Sequence, residues 1–177
     1  MGANLHIAIL GGGCFWCTES VFLALRGVHD VKPGYSGGHL DNPSYEQVCQ
    51  QNTGHIEVIK ITFDPDIISF ERLLQVFFAT HDPTTPDRQG GDVGPQYASA
   101  VFCQNEQQRI TALRVIGQVQ DAIGMPVVTH VLDAAHFWPA EDHHIDYYGR
   151  NPSQGYCQVV IAPKMAKLRQ HFLSMLA

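Results

Sequence analysis

Three consecutive glycines, Gly11-Gly12-Gly13, separate an apolar run of strand length, Leu5-His6-Ile7-Ala8-Ile9-Leu10, from the segment Cys14-Phe15-Trp16-Cys17-Thr18-Glu19. Glycine turns freely into left-handed backbone, so the run reads as a strand that ends at the glycines and gives way to a helix. Phe22 and Leu25 continue an apolar stripe from Phe15 and Thr18 at helical spacing, and Gly27 after Arg26 is its expected stop. Cys14 thereby falls at a helix N-terminus, where free N–H groups and the helix dipole favour the thiolate, the reactive form of cysteine. A strand that hands over to a helix at its first turn points to a fold mixing the two.

A Cys-x-x-Cys pair has several uses: half of a zinc site, a dithiol redox pair, or two buried thiols acting as small hydrophobes. A four-thiolate zinc site needs a second close pair, whereas Cys49, Cys103 and Cys157 each stand alone. A dithiol site fits the strand-then-helix placement, but the two intervening residues here are bulky aromatics that would wall a pocket beside the sulfur, suited to a small apolar group. A dinucleotide fingerprint fails because Trp16 stands where its third glycine belongs. Glu141, His143, His144 and Asp146 cluster in sequence, yet Glu141 and His144 form a single i, i+3 pair, so no metal is expected.

With 177 residues, 45% hydrophobic and 16% charged, the chain is long enough for one well-buried core and short for two, so 1–177 reads as a single domain. A net charge of -6 argues against nucleic acid or an anionic membrane as partner. Five cysteines at irregular spacing do not form a disulfide framework and read as reduced thiols. With no basic segment before the first apolar run and no stretch of membrane-spanning length, a cytoplasmic location is expected.

Strands and helices alternate along the chain, the mark of an α/β or α+β sandwich. His55 to Phe63 is rich in β-branched residues and reads as a strand. Phe70, Leu73, Leu74, Phe77 and Phe78 make a core-facing helical stripe capped by Ser69. Tyr97 to Cys103 reads as a strand, Asn105 to Ile123 as a helix with an Asn cap, and Pro126 to Leu132 as another strand. Pro139 is expected to start a short helix, Tyr156 to Ile161 to form a final strand, and Pro163 to open a helix with Met165, Leu168, Phe172 and Met175 on one face. Between helix and strand, Asp82 to Gln96 holds three prolines and three glycines and reads as a long loop folded over the site.

Period-two alternation singles out Glu57. In a regular strand it shares a face with Ile59, Ile61 and Phe63, while Ile56, Val58, Lys60 and Thr62 lie opposite. A carboxyl on such an apolar face is desolvated in its charged form, so its pKa rises and it can stay protonated near neutrality. At the strand's exposed start it would instead be an ordinary solvated acid. The same periodicity sets Cys103 with Tyr97, Ser99 and Val101, and Cys49 falls in a short helix; both read as inert thiols.

Gly-Cys-Phe-Trp-Cys-Thr-Glu resembles the signature of peptide methionine sulfoxide reductase type A. The resemblance continues in order through Gly34-Tyr35-Ser36-Gly37-Gly38, Asn42-Pro43-Ser44-Tyr45-Glu46-Gln47-Val48-Cys49, Thr53-Gly54-His55-Ile56-Glu57 and Asp92-Val93-Gly94-Pro95-Gln96-Tyr97. It then runs through Phe137-Trp138-Pro139-Ala140-Glu141-Asp142-His143-His144 and Asn151-Pro152-Ser153-Gln154-Gly155-Tyr156-Cys157, spanning residues 6 to 165. Pro95 and Ala98 depart from it, standing where threonine and arginine are common.

The resemblance implies an α+β domain, a mixed sheet flanked by helices in a two-layer sandwich. It also implies reduction of the S epimer of methionine sulfoxide, free or in oxidised proteins, with no bound cofactor; a small domain with an exposed groove points to a monomer. Cys14 would be the nucleophile and Glu57 the acid, with Tyr45, Tyr97 and a buried Asp92 beside it. Phe15 and Trp16 would hold the substrate methyl group, with His144, Tyr147 and Tyr156 lining the groove. Attack leaves a sulfenic acid on Cys14, which a second thiol condenses into a disulfide and an external dithiol, thioredoxin by analogy, reduces. The resolving thiol is Cys157, after the flexible Asn151–Gly155 segment, or Cys17, one turn from Cys14, or both in relay; Cys157 is slightly preferred. Two other classes stay open: a general dithiol-disulfide oxidoreductase with no use for Glu57, and a non-catalytic zinc or binding module.

Overall fold

The computed structural model describes residues 4–177, so the first three residues of the expected domain lie outside the described residues. β1 (His6–Gly12) leads into α1 (Phe15–Leu23), followed by β2 (Val28–Ser36), α2 (Tyr45–Cys49), β3 (Ile56–Phe63) and α3 (Phe70–Thr80). A small hairpin, β4 (Arg88–Gln89) and β5 (Asp92–Val93), precedes β6 (Ser99–Cys103), α4 (Glu106–Ile123), β7 (His130–Asp133) and β8 (Trp138–Pro139). The chain ends with α5 (Tyr147–Arg150) and α6 (Ala162–Phe172). Among the described residues, six strands form a mixed sheet in the order β7-β6-β1-β3-β2-β8. Neighbours run antiparallel except β6 and β7, a parallel pair joined by the α4 crossover.

The alternation read from β3 is the one that divides the two faces. Ile59, Ile61 and Phe63 enter the main core with Leu10, Val101, Phe22 of α1, Phe77 of α3, Val115 of α4 and Leu168 of α6. Ile56 and Val58 point the other way and meet Ile9, Ala100 and Phe102 under Ala135 and Phe137. The main helices thus gather on one sheet face, the expected α+β sandwich. Phe15, Phe22, Phe63 and Phe77 are each fully buried there, and burial of such a side chain is worth roughly 1.5–3 kcal/mol. Helix ends follow the sequence: Ser69 Oγ accepts the Arg72 amide hydrogen at 3.1 Å, Asn105 Oδ1 that of Gln108 at 2.9 Å, and Gly124 closes α4 in the left-handed region.

Several boundaries differ from the sequence reading. β1 includes Gly11 and Gly12, which pair with Ala100 and Ser99, so Gly13 alone makes the turn. Tyr97 ends a 3-10 turn and β6 starts at Ser99. The strand expected from Pro126 begins only at His130. Pro139 starts no helix; with Trp138 it pairs as an edge strand against Gly34 and Tyr35, where a residue without an N–H is tolerated, and helical turns begin at Asp142. The expected strand from Tyr156 to Ile161 is helical, a π turn over Cys157–Ile161 running into α6. Helical packing overrides its β-branched residues: Cys157 and Ile161, four apart, are buried on one face while Val159 is 75% exposed.

Candidate active site

Gly13 has φ +92°, and Cys14 is the N-cap of α1 with extended backbone. A side chain at Gly13 would be strained by that φ and would also meet Gln89, whose Cγ lies 2.6 Å from where a Cβ would sit. The 82–96 loop is therefore seated on the cysteine turn, as expected. Gln89 is fixed in turn by exchanging two hydrogen bonds with the Asp82 backbone at 2.7 and 2.9 Å. Between this loop and the C-terminal segment runs a groove of about 580 Å³, lined by Cys14, Cys17, Asp92, Tyr156 and Lys164 among others.

Glu57 is 1% exposed at the main-core face of β3, not solvated at a strand end. Its Oε1 accepts the Phe15 amide hydrogen at 3.1 Å, and its Oε2 is buried without a partner. Desolvation pushes this carboxyl up to about 8, opposed by the Phe15 N–H and assisted by the Asp92 charge. It is a protonated acid at neutral pH, with a free O–H to offer. Burial and the proximity of Glu57 also push the Tyr45 and Tyr97 hydroxyls well above the usual tyrosine range, which keeps both as donors. Asp92 is half-buried at the groove, less enclosed than expected, and accepts the Tyr156 hydroxyl at 2.7 Å.

The aromatic residues form one nested group. Phe15 is fully buried among Tyr35, Tyr45 and His144, with ring centroids 5.6, 6.3 and 5.2 Å away. Trp16 is half-buried; its face stacks on Tyr147 at 3.7 Å and 7°, and its edge meets Tyr156. The indole N–H donates to His144 Nδ1 at 3.0 Å, so His144 is the tautomer protonated on Nε2, an atom buried without a partner. Burial lowers His144 to about 4, and the ring is neutral. His144 and Tyr147 thus orient Trp16, a role that their place in the sequence did not signal.

Cys14, Cys17 and Cys157 meet in one cluster with Ile161, under Tyr97, Tyr147 and Tyr156. All five cysteines are free thiols. The helix-end field does not win at Cys14: at 8% exposure, desolvation pushes its thiol well up, with the Cys17 sulfur and the Glu57 charge adding to the effect. Cys17 carries the thiolate character instead. The neighbouring Cys14 thiol brings it down to about 7 against its own desolvation, helped by Lys164 and by the Tyr156 hydroxyl 3.5 Å away. Cys49 and Cys103 lie outside this cluster, and burial raises both thiols.

Two further carboxylates support the site. Glu141 accepts the Tyr45 amide hydrogen at 3.0 Å and the Tyr35 hydroxyl at 3.2 Å, tying α2 to the segment after β8. Glu19, buried on α1, accepts the amide hydrogens of Asp146 and Tyr147, and desolvation pushes it up to about 7. Neither bond was legible from spacing, since the partners lie about a hundred residues apart. Among the described residues no three His, Cys, Asp or Glu side chains converge on a metal position. No helix among them is long and apolar enough to cross a membrane.

Three clustered thiols beside a protonated acid and an aromatic wall define a chemistry of sulfur, and known proteins share the frame that holds them. A family model described as peptide methionine sulfoxide reductase matches residues 6–175. The peptide methionine sulfoxide reductase MsrA of Chromobacterium violaceum is 55% identical over 171 residues, covering 96% of this chain and 97% of the relative. That of Psychrobacter cryohalolentis is 57% identical over 168 residues, covering 95% and 96%. Among solved structures, reduced Mxr1 from Saccharomyces cerevisiae superposes with a TM-score of 0.79 at 30% identity, covering 86% of this chain and 89% of that one. With its motifs in order on a shared fold and more than half its residues identical to such relatives, the chain belongs to the peptide methionine sulfoxide reductase family.

Proposed function

We propose that the chain reduces the S epimer of methionine sulfoxide, free or in oxidised proteins, to methionine, with Cys14 as nucleophile. The observation that carries this reading is the orphaned Oε2 of Glu57, an acid held near 8 in a site whose other polar groups are paired or neutral. A sulfoxide sulfur is attacked readily only when its oxygen is protonated or strongly hydrogen-bonded. Glu57 supplies that proton, with the Tyr45 and Tyr97 hydroxyls as further donors, while Phe15 and Trp16 receive the methyl group. As the Cys14 sulfur bonds to the substrate sulfur, the Cys14 proton passes to the neighbouring Cys17 thiolate. The hydroxyl then moves to Cys14, releasing methionine and leaving a sulfenic acid; the balance is sulfoxide plus thiol giving sulfide plus sulfenic acid.

Cys17, one helical turn from Cys14 in the same thiol cluster, is the first thiol to condense with the sulfenic acid, expelling water and forming a disulfide. Cys157, buried in the same cluster, takes the disulfide onward by exchange. An external dithiol of the thioredoxin kind restores the thiols, reaching the sulfurs along the groove between the 82–96 loop and α6. The protein works as a monomer in the cytoplasm, where such reductants keep thiols free, with no bound cofactor.

Turnover of separated S and R epimers of a peptide methionine sulfoxide with dithiothreitol, in the intact protein and in Cys14→Ser, tests the reading. Reduction of the S epimer alone, abolished by the substitution, is expected. Disulfide turnover without sulfoxide reduction would replace it with a general dithiol oxidoreductase.

A further inference from the structure

α1 carries Trp16 and, three residues later on the same helical face, a carboxylate that the proposed reaction does not use. Glu19 is 1% exposed, and its two oxygens divide between two backbone donors: Oε2 accepts from Asp146 N at 2.9 Å and Oε1 from Tyr147 N at 3.4 Å. The segment these donors belong to also lays its Tyr147 ring flat on Trp16 at 3.7 Å. It is therefore fastened to α1 twice, by backbone at Glu19 and by ring one turn earlier.

The turn so held is short and sits in an unfavourable backbone conformation. Asp146 sits at φ +50°, in the left-handed region a non-glycine residue enters only when its surroundings impose it. Its carboxylate packs against Gly149, where a Cβ would lie 2.4 Å from Oδ1. The helix that follows, α5, is four residues long, too short to be stable alone. A buried apolar residue at position 19 would pack without desolvating a charge, but would leave both amides of the turn unpaired.

We infer that Glu19 is a positioning residue for the methyl site: its carboxylate clamps the Asp146–Tyr147 turn so that the Tyr147 ring fixes the plane of Trp16. The inference rests on the proposed reading that Trp16 receives the substrate methyl group. Glu19 touches no reacting atom and acts only through Tyr147.

The test uses a Trp138→Phe background, in which Trp16 is the remaining tryptophan of the chain's two. Acrylamide quenching and steady-state kinetics on the S epimer are compared for Glu19→Ala, Glu19→Gln, Tyr147→Ala and the Glu19→Ala/Tyr147→Ala double variant. Glu19→Ala is expected to raise Trp16 quenching about twofold and KM about tenfold, with kcat changed less than about threefold, because ground-state placement is what is lost. Glu19→Gln, which retains an acceptor, recovers most of both. In the Tyr147→Ala background Glu19→Ala adds nothing to either readout, since residues acting through one contact do not add. An equal effect with and without Tyr147, or a loss confined to kcat, overturns the inference. If Glu19→Ala does not fold, the same cycle run with Glu19→Met, which fills the space and removes both acceptors, decides it. Should the intact protein turn over neither epimer, the proposed function fails while the quenching cycle still reports on the clamp.

Discussion

Glu57 accepts the Phe15 amide hydrogen through Oε1 at 3.1 Å and keeps Oε2 buried with no partner. One hydrogen bond thus ties the acid to the residue directly after Cys14, so the acid and the thiol cannot drift apart without breaking it. Glutamine at 57 retains the oxygen that Phe15 needs and loses the acidic proton. Glu57→Gln should lower kcat on the S epimer by roughly 10²- to 10⁴-fold with an unchanged circular dichroism spectrum. Full activity in this variant would remove Glu57 from the mechanism.

The acid also sets the expected pH dependence. Desolvation holds Glu57 at about 8, so it is protonated below that pH, and kcat should fall tenfold per pH unit as pH rises above it. Stability follows the same sign. The folded value lies above the 4.5 of the unfolded chain, so the folded state binds the extra proton. Stability from this group is therefore fully present below pH 4.5 and is lost as pH rises through 8, by on the order of a few kcal/mol. Glu57→Gln, with no charge to bury, should be the more stable protein in urea unfolding at pH 9 and show no such advantage at pH 4. A stability difference that does not change between pH 4 and pH 9 would mean that the carboxylate is solvated.

How much of this was legible in the sequence divides along a physical line. The strand–glycine–helix turn and the amphipathic α3, α4 and α6 follow from local period and turn chemistry, and these were readable; the same period put Glu57 on an apolar face but left open whether it was buried or solvated at the strand's start. β2 was not: Pro33 and Gly34 interrupt it, and from Pro33 to Ser36 it is buried on both faces, so no alternation marks it. The π turn at Cys157 was read as a strand because its valines favour sheet, and tertiary packing overrode that preference. Glu19, Glu141 and the bond between Trp16 and His144 bridge about a hundred residues or more, and no local pattern encodes such pairs. Burial of Cys14 likewise depends on what folds over it, which is why a helix-terminal position alone gave the wrong direction for its thiol.

The thiol cluster predicts an order of disulfides. After one equivalent of S-sulfoxide without reductant, peptide mapping of Cys157→Ser should find Cys14 joined to Cys17, and Cys17→Ser should form its Cys14–Cys157 bond at least tenfold more slowly, because Cys157 remains a buried thiol with a raised pKa. Cys14→Ser should lose no thiol titre. Equal rates in the two single variants would mean that Cys157 resolves the sulfenic acid directly.

Two glycines separate packing from propensity. At Gly34, in β2, a Cβ would lie 2.4 Å from both the Phe137 ring and the Trp138 carbonyl oxygen, and that carbonyl belongs to the β8 backbone paired with it. The neighbour cannot yield without breaking the sheet edge that leads to Glu141, so Gly34→Ala should destabilise the fold by about 1–3 kcal/mol or more. It should also loosen Tyr45, whose amide Glu141 holds. At Gly117, inside α4, nothing lies within 4 Å of the added carbon. There alanine only removes backbone freedom from the unfolded chain, and Gly117→Ala should stabilise by about 0.5–1 kcal/mol. Urea midpoints of opposite sign, with activity lowered only in Gly34→Ala, are the expected result. A Gly34→Ala protein as stable as the parent would mean that β8 is not fixed against β2.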